Sequence, residues 1–144
     1  MMNSPLTALR ARREAIVQTH IEAEAVSHNV AATVATFHHP RYEVPALGAI
    51  VDGAEGVNGL VSGLLSAFPD FYLNTHALHH ADDAVIVECT FGGTHKGNWA
   101  GIEGTGRKME VQSVLIFVFD GENLTCEKVY FDHATILRQI GAIA

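Results

Sequence analysis

The chain is poor in cysteine, in tryptophan and in basic residues, and each scarcity excludes something. Two cysteines, Cys89 and Cys126, stand far apart and outside any CxxC pair, so neither a zinc knuckle nor a dithiol redox centre is indicated. Two thiols, with no apolar export leader in "MMNSPLTALRARREAIV", lead us to expect a reducing, cytoplasmic setting. Lysine and arginine number 9 against 16 acidic residues, a net charge of −7. That balance argues against nucleic acid as a partner, since phosphate binding needs a basic surface. The longest strongly apolar run, Val114 to Phe119, is too short to span a bilayer, so no membrane partner is expected. Repeats, low-complexity tracts and linkers are also missing, and 144 residues read as one domain, 1–144.

What is present describes a globular chain, 48% apolar and 17% charged. Ser4-Pro5 is a cap followed by a first-turn proline. The helix after it carries Leu9, Ile16 and Ala23 at heptad spacing, with His20 on the same stripe. "SHN" (27–29) ends it, and Asn29 caps a short second helix whose apolar face is Val30, Val34 and Phe37. "HHPRYEVPALG" reads as a loop with a short extended piece. A third helix is predicted from about Ala54 to Phe68, where Val57, Leu60, Val61, Leu64, Leu65 and Phe68 keep the helical period. The remainder is strand-like: 71–78, 84–94, 108–119 and 124–131, with a glycine-rich connection "THKGNWAGIEGTGR" and a closing helical turn or two from His133 to Ile140.

Helices first and antiparallel strands after predict an α+β fold, a curved antiparallel sheet wrapped on N-terminal helices. Along 114–119, Val114, Ile116 and Val118 point one way and Leu115, Phe117 and Phe119 the other. Both faces of that strand should therefore be covered. Helices cover one; a second copy of the chain is the economical cover for the other, which predicts a homodimer through the sheet face.

Nine histidines are present, without an HExxH motif or a His/carboxylate grouping of metal-ligand spacing, so no metal is expected. "GNWAGIEGTGR" lies between two antiparallel strands and is not a phosphate loop. Asp132 sits where a strand hands over to a helix, a common place for an N-cap. Gln112 is a polar side chain just before the apolar run of the long strand. Tyr130 joins a packing body to a hydroxyl that can donate. Trp99, in the glycine-rich loop, is placed to lid a pocket or to pack under the loop. His20, on an apolar stripe, is more often a satisfied core histidine than a catalytic one.

Taken together, "FHHPRYEVPALG", "FPDF", "GTHKGNWAGIEGTGR" and "EKVYFDHATILRQIG" resemble the SnoaL-like polyketide cyclases, from about Ile16 to Gly141. These belong to the cone-shaped superfamily that includes nuclear transport factor 2 and ketosteroid isomerase. The resemblance implies a one-ended cone with a pocket between the concave sheet face and the first helices, a dimer, and cofactor-independent chemistry. That chemistry is ring closure by intramolecular aldol condensation on a hydrophobic carbonyl compound, or a related isomerisation. It also implies an acid/base aspartate matching Asp132, with Lys128 and Tyr130 sharing its face of the pocket wall, and a pocket histidine matching His39. His39, Gln112, Tyr130, His20 and Trp99 are then the candidate substrate-binding residues. The chain departs from the family in carrying Glu103-Gly104 where many members have Pro-Pro, and in the wholly apolar Val114-Leu115-Ile116 where some have a second histidine. A non-catalytic protein binding a small hydrophobic molecule in the same cone is the alternative. Dehydration or epoxide hydrolysis ranks third, because Arg41, Arg107 and Arg138 do not fall between plausible pocket acids.

Overall fold

The structure, a computed structural model, describes residues 4–144; the first three residues of the stretch read for an export leader lie outside it. Helix α1 (Pro5–Ala25) opens where the Ser4 hydroxyl accepts the Thr7 amide at 3.1 Å, and it buries Arg13, Val17 and His20 at i, i+4 and i+7. Arg13 is buried yet satisfied, donating to the carbonyls of Gly121 and Asp82 at 2.7 and 2.9 Å. Helix α2 (Val30–Ala35) starts at Asn29, whose side chain accepts the Ala32 amide. Helix α3 (Ala54–Ala67) buries Val57 and Val61, with Phe68 just beyond its end. Each such burial is worth about 1.5–3 kcal/mol relative to exposure.

Six strands follow or intervene: β1 (Arg41–Val44), β2 (Ala49–Asp52), β3 (Tyr72–His80), β4 (Ala84–Thr94), β5 (Lys108–Asp120) and β6 (Asn123–Phe131). A short terminal helix, α4 (His133–Gln139), closes the chain. The sheet order is β2-β1-β6-β5-β4-β3. The fold is α+β, with the N-terminal helices packed on a curved, unclosed sheet.

Two expectations need correction. The sheet is mixed, because β1 pairs with β6 in parallel (Tyr42 opposite Glu127) while the other neighbours are antiparallel. The cause is where the chain enters: the amides of His38 and His39 bond the carbonyl of Leu124, docking the chain beside the start of β6, so β1 runs the same way. The proline- and glycine-punctuated stretch is also more than a loop. A 3₁₀ turn at Pro45–Leu47 and a left-handed Gly48 fold it into the β1–β2 hairpin.

On β5 the odd residues Met109, Val111, Leu115, Phe117 and Phe119 are buried against the helices. On its other face Gln112 and Val114 are exposed, and Ile116 and Val118 are half-buried.

Candidate active site

The two halves of the core do not close on one another completely. Between the inner sheet face and helices α1 and α3 lies a cavity of about 710 Å³, part of that space open to solvent. Its wall is largely aliphatic and aromatic, including Leu60, Leu64, Phe71, Phe91, Leu115, Val129 and Phe131. This explains why Leu60 and Leu64 are only partly buried although they belong to the apolar stripe of α3: they face the empty space.

Four polar side chains break the apolar lining, and they converge. His20 and Glu24 come from successive turns of α1, Tyr42 from β1 and Glu127 from β6. The parallel β1–β6 pairing sets Tyr42 directly beside Glu127. His20 Nε2 lies 3.1 Å from Glu24 Oε2, 3.0 Å from Tyr42 Oη and 2.8 Å from Glu127 Oε1. The Tyr42 hydroxyl donates to Glu24 Oε2 at 2.8 Å. The His20 and Glu127 side chains are 1% and 4% exposed, and Glu24 13%.

The protonation of His20 can be read from its neighbours. The Thr36 hydroxyl donates to the Thr33 carbonyl at 2.7 Å, so it accepts from His20 Nδ1–H at 2.8 Å. Nε2 then faces two carboxylates. Burial alone would push the imidazole pKa down; the charge of Glu127, and contacts with Glu127 and Glu24, outweigh it and hold the ring pushed up to about 10. His20 is therefore an imidazolium at neutral pH.

Glu127 is under the opposite pressure. Burial raises its pKa above the ordinary carboxylate value, with the charge of Glu24 adding to this and His20 opposing it. Its Oε1 is close to His20 Nε2, but the ring N–H is directed at Glu24 and Tyr42, so this oxygen is buried without a directed hydrogen bond. His20, Glu24 and Glu127 each offer one donor atom within 4.8 Å of the others, a spacing that admits a metal ion. An ion bound there would displace the proton on His20 Nε2; without one, the three side chains form an ion cluster.

The residues singled out from the sequence fall into two sets. His20 and Trp99 line the cavity. Asp132, Tyr130 and Gln112 come together, but in an open groove on the outer face of the sheet, with His76 and Glu88. Asp132 caps α4: it accepts the Ala134 amide at 3.2 Å and the Thr135 hydroxyl at 2.7 Å. That hydroxyl bond, then the Ala134 amide and the Arg138 charge, hold its pKa below the ordinary carboxylate value against a slight effect of burial. An exposed, acidified cap is the reverse of a shielded base, and Asp132 does not line the cavity. His39 is exposed and paired with Asp52 at 2.7 Å, outside the cavity.

The physical reason is the phase of β6. The face holding Lys128 and Tyr130 is the outer one, and the pocket wall is built by Glu127, Val129 and Phe131. An acid alternating with Val129 and Phe131 was the available signal for Glu127. Glu24, one turn after His20 on α1, was the signal for its partner.

The glycine-rich loop holds Trp99 over the cavity through His95. The buried His95 ring accepts the Thr105 amide at Nδ1 (3.2 Å) and lies 3.2 Å from the Ile102 carbonyl at Nε2, pinning both arms of the loop. Gly97 is required there, since a Cβ would stand 2.4 Å from the Ser66 carbonyl oxygen. The Trp99 indole packs edge-on to Phe68 and donates to His133 Nε2 at 3.1 Å.

A curved sheet closed by N-terminal helices around an apolar cavity is the cone-shaped α+β architecture. The chain belongs to the SnoaL-like polyketide cyclase family, whose model matches residues 15–140. Its fold is shared by a protein assigned to the SnoaL-like polyketide cyclases from Jannaschia sp. CCS1, at TM-score 0.84 and 17% identity, covering 100% of this chain and 99% of that one. It is shared by IdmH of Streptomyces antibioticus, assigned as a polyketide cyclase, at TM-score 0.72 and 22% identity, covering 90% and 98%. A protein of ketosteroid isomerase-like fold from Catenulispora acidiphila aligns at TM-score 0.75 and 23% identity, covering 88% and 92%. No curated protein sequence matches significantly.

Proposed function

We propose that the chain is an acid/base enzyme acting on an apolar carbonyl compound, in the manner of a cyclase or isomerase, with Glu127 as the proton acceptor. The observation that supports this is Glu127 Oε1, buried and without a directed hydrogen bond, at the edge of an apolar cavity. A carboxylate held this way is more basic than in water, which suits it to a carbon acid. In the step, the C–H next to the substrate carbonyl gives its proton to Glu127, and the bonding pair moves into the carbonyl to form an enolate. The enolate carbon then attacks a second carbonyl of the same molecule. The proton returns to the alkoxide so formed, or to another carbon in an isomerisation. His20 supplies a fixed positive charge beside the base, and Tyr42 and Glu24 hold it in place. Side chains supply every proton and charge the step requires, so the reading calls for no organic cofactor.

The test is deuterium uptake by an apolar enolisable ketone, such as 2-tetralone, in D₂O, followed by NMR. Exchange above the buffer rate is expected, reduced by about 10²–10⁴ in Glu127→Gln, the usual worth of general acid–base catalysis. Equal exchange by both proteins would leave a ligand-binding protein in place of an enzyme. We also propose a dimer through the outer sheet face, where Val114 is exposed and Ile86, Ile116 and Val118 are half-buried. A monomer by light scattering at micromolar concentration would count against it.

A further inference from the structure

We infer that His20, Glu24 and Glu127 form a binding site for one divalent transition-metal ion, zinc being the ion that the ligand set fits. The inference rests on the geometry of the cluster and is independent of the proton transfer proposed for Glu127.

The three side chains bring one ligating atom each, the imidazole Nε2 and two carboxylate oxygens, to within 4.8 Å of one another. His20 and Glu24 lie one helical turn apart on α1, so their side chains leave the same face. Glu127 joins them from β6. The sequence displays only the helical pair, and two residues do not make a metal-ligand spacing. Nε2 is the crowded atom. Glu127 Oε1 lies 2.8 Å from it, Tyr42 Oη 3.0 Å and Glu24 Oε2 3.1 Å. Nε2 carries at most one proton, and an N–H bond points one way. Glu127 Oε1 is thus ion-paired with His20 at close range, yet buried without a directed hydrogen bond. A metal ion is free of that limit: bound to the Nε2 lone pair, it takes both carboxylate oxygens at once. One proton also offsets one of the two carboxylate charges, whereas a divalent ion offsets both. That difference counts where the side chains are 1%, 13% and 4% exposed.

Outer partners already orient two of the ligands. Thr36 accepts the Nδ1–H of His20, which leaves Nε2 to face the cluster, and the Tyr42 hydroxyl donates to Glu24 Oε2. Metal-bound imidazoles and carboxylates are commonly held this way. One nitrogen and two oxygens suit zinc and its transition-metal neighbours. Calcium wants six or more oxygens, and magnesium keeps several waters that an apolar cavity does not supply. Bonds of about 2.0–2.2 Å to zinc put tetrahedral ligand atoms roughly 3.3 Å apart. The present contacts are a few tenths of an ångström shorter, and Glu24, partly exposed at the cavity edge, has room to yield. Three protein ligands leave a fourth position for water, opening on the cavity that all three residues line.

Calorimetric titration of the EDTA-treated and dialysed chain with zinc chloride tests the inference, with magnesium chloride as the control and cobalt chloride as a spectroscopic probe. One zinc per chain is expected, and cobalt should show the strong visible bands of a four-coordinate ion. Affinity should fall by at least about 100-fold in Glu127→Gln and in Glu24→Gln, which keep the side-chain shape and lose the charge. It should fall by about tenfold in Thr36→Val, which touches the metal only through His20. Circular dichroism checks the fold of each, and any one folded variant suffices. Exposed histidines are the competing explanation, so a variant combining His39→Ala, His76→Ala and His79→Ala should keep the wild-type affinity. No zinc binding overturns the inference. So does equal binding by a folded glutamine variant, loss of binding in the exposed-histidine variant, or tighter binding of magnesium than of zinc. Deuterium exchange measured in EDTA stands apart: zinc binding without exchange removes the proposed chemistry and keeps this site, and exchange without zinc binding does the reverse.

Discussion

His20 Nε2 and Glu127 Oε1 stand 2.8 Å apart across the seam between α1 and β6, and both side chains are almost wholly out of water. Two opposite charges so placed hold each other in their ionised forms, and neither is comfortable alone. Removing one partner of a buried pair typically costs about 3–5 kcal/mol, because the other is left uncompensated. His20→Ala should lose stability on that scale in urea denaturation. Replacing both, as in His20→Leu with Glu127→Leu, should lose less, since the charge that remains, on Glu24, is partly exposed and still accepts the Tyr42 hydroxyl. A double variant weaker than His20→Ala would contradict this account of the cluster.

The same cluster fixes the direction of pH dependence. His20 titrates at about 10 when folded against an ordinary 6.5. Between those values the folded chain keeps a proton that the unfolded chain has released, so stability falls as pH rises through that window. The stabilisation is complete below 6.5 and gone above 10. Glu127 acts with the same sign, its raised pKa meaning that the folded form binds its proton more tightly. Asp52, Asp70 and Asp132 act oppositely in acid, where protonation removes the bonds that lower their pKa values. Unfolding free energy measured from pH 4 to 10 should therefore peak on the acid side of neutrality and decline steadily above about pH 7. A profile rising from pH 7 to 10 would show that His20 is not held as an imidazolium.

How much of this could be read from the chain differs by element. The apolar period of α3, the caps at Ser4 and Asn29, and the four long strands are local properties, and the structure repeats them within a residue or two. The parallel β1–β6 pairing is not local: it depends on where residues 38 and 39 dock against Leu124, some 85 positions away. Which residues of β6 face the cavity turns on a finer point. A strand exposes alternate residues, so its inward phase must be chosen, and a one-residue error exchanges Glu127 for Lys128 and Tyr130. Asp132 drew attention because acids at strand ends are chemically conspicuous. The structure uses it to start α4. The cavity cluster draws on α1, β1 and β6, with Glu24 and Tyr42 18 positions apart and His20 and Glu127 107 apart, and no spacing in the sequence records that convergence.

Asp132 itself gives a clean comparison. As a cap, its Oδ1 and Oδ2 engage Ala134 N and the Thr135 hydroxyl. Asparagine retains a capping oxygen, so Asp132→Asn should leave both the melting temperature and proton-exchange activity near wild type. Asp132→Ala should lower the melting temperature modestly and leave activity unchanged. A loss of exchange by 10²-fold or about that in Asp132→Asn, with the fold intact, would return the acid/base role to this residue.

The final prediction concerns the loop over the cavity. Trp99 is the single tryptophan of the chain and lines the cavity, so its emission reports on that loop alone. Its indole N–H donates to His133 Nε2 at 3.1 Å, which requires that nitrogen to be unprotonated. His133 also meets the Trp99 and Phe131 rings edge-on, at centroid separations of 5.9 and 6.2 Å. Removing the acceptor in His133→Ala frees the indole N–H and one side of the ring. The net worth of such a hydrogen bond is about 1 kcal/mol, so the loop should open more often without unfolding. Expected are a red shift of Trp99 emission and ligand dissociation faster by about fivefold, with little change in the melting temperature. His133→Gln, which can still offer an acceptor, should recover most of the emission. If His133→Ala leaves both the emission and the dissociation rate unchanged, Trp99 is held by Phe68 and the loop backbone, and the indole–imidazole bond plays no part in closing the cavity.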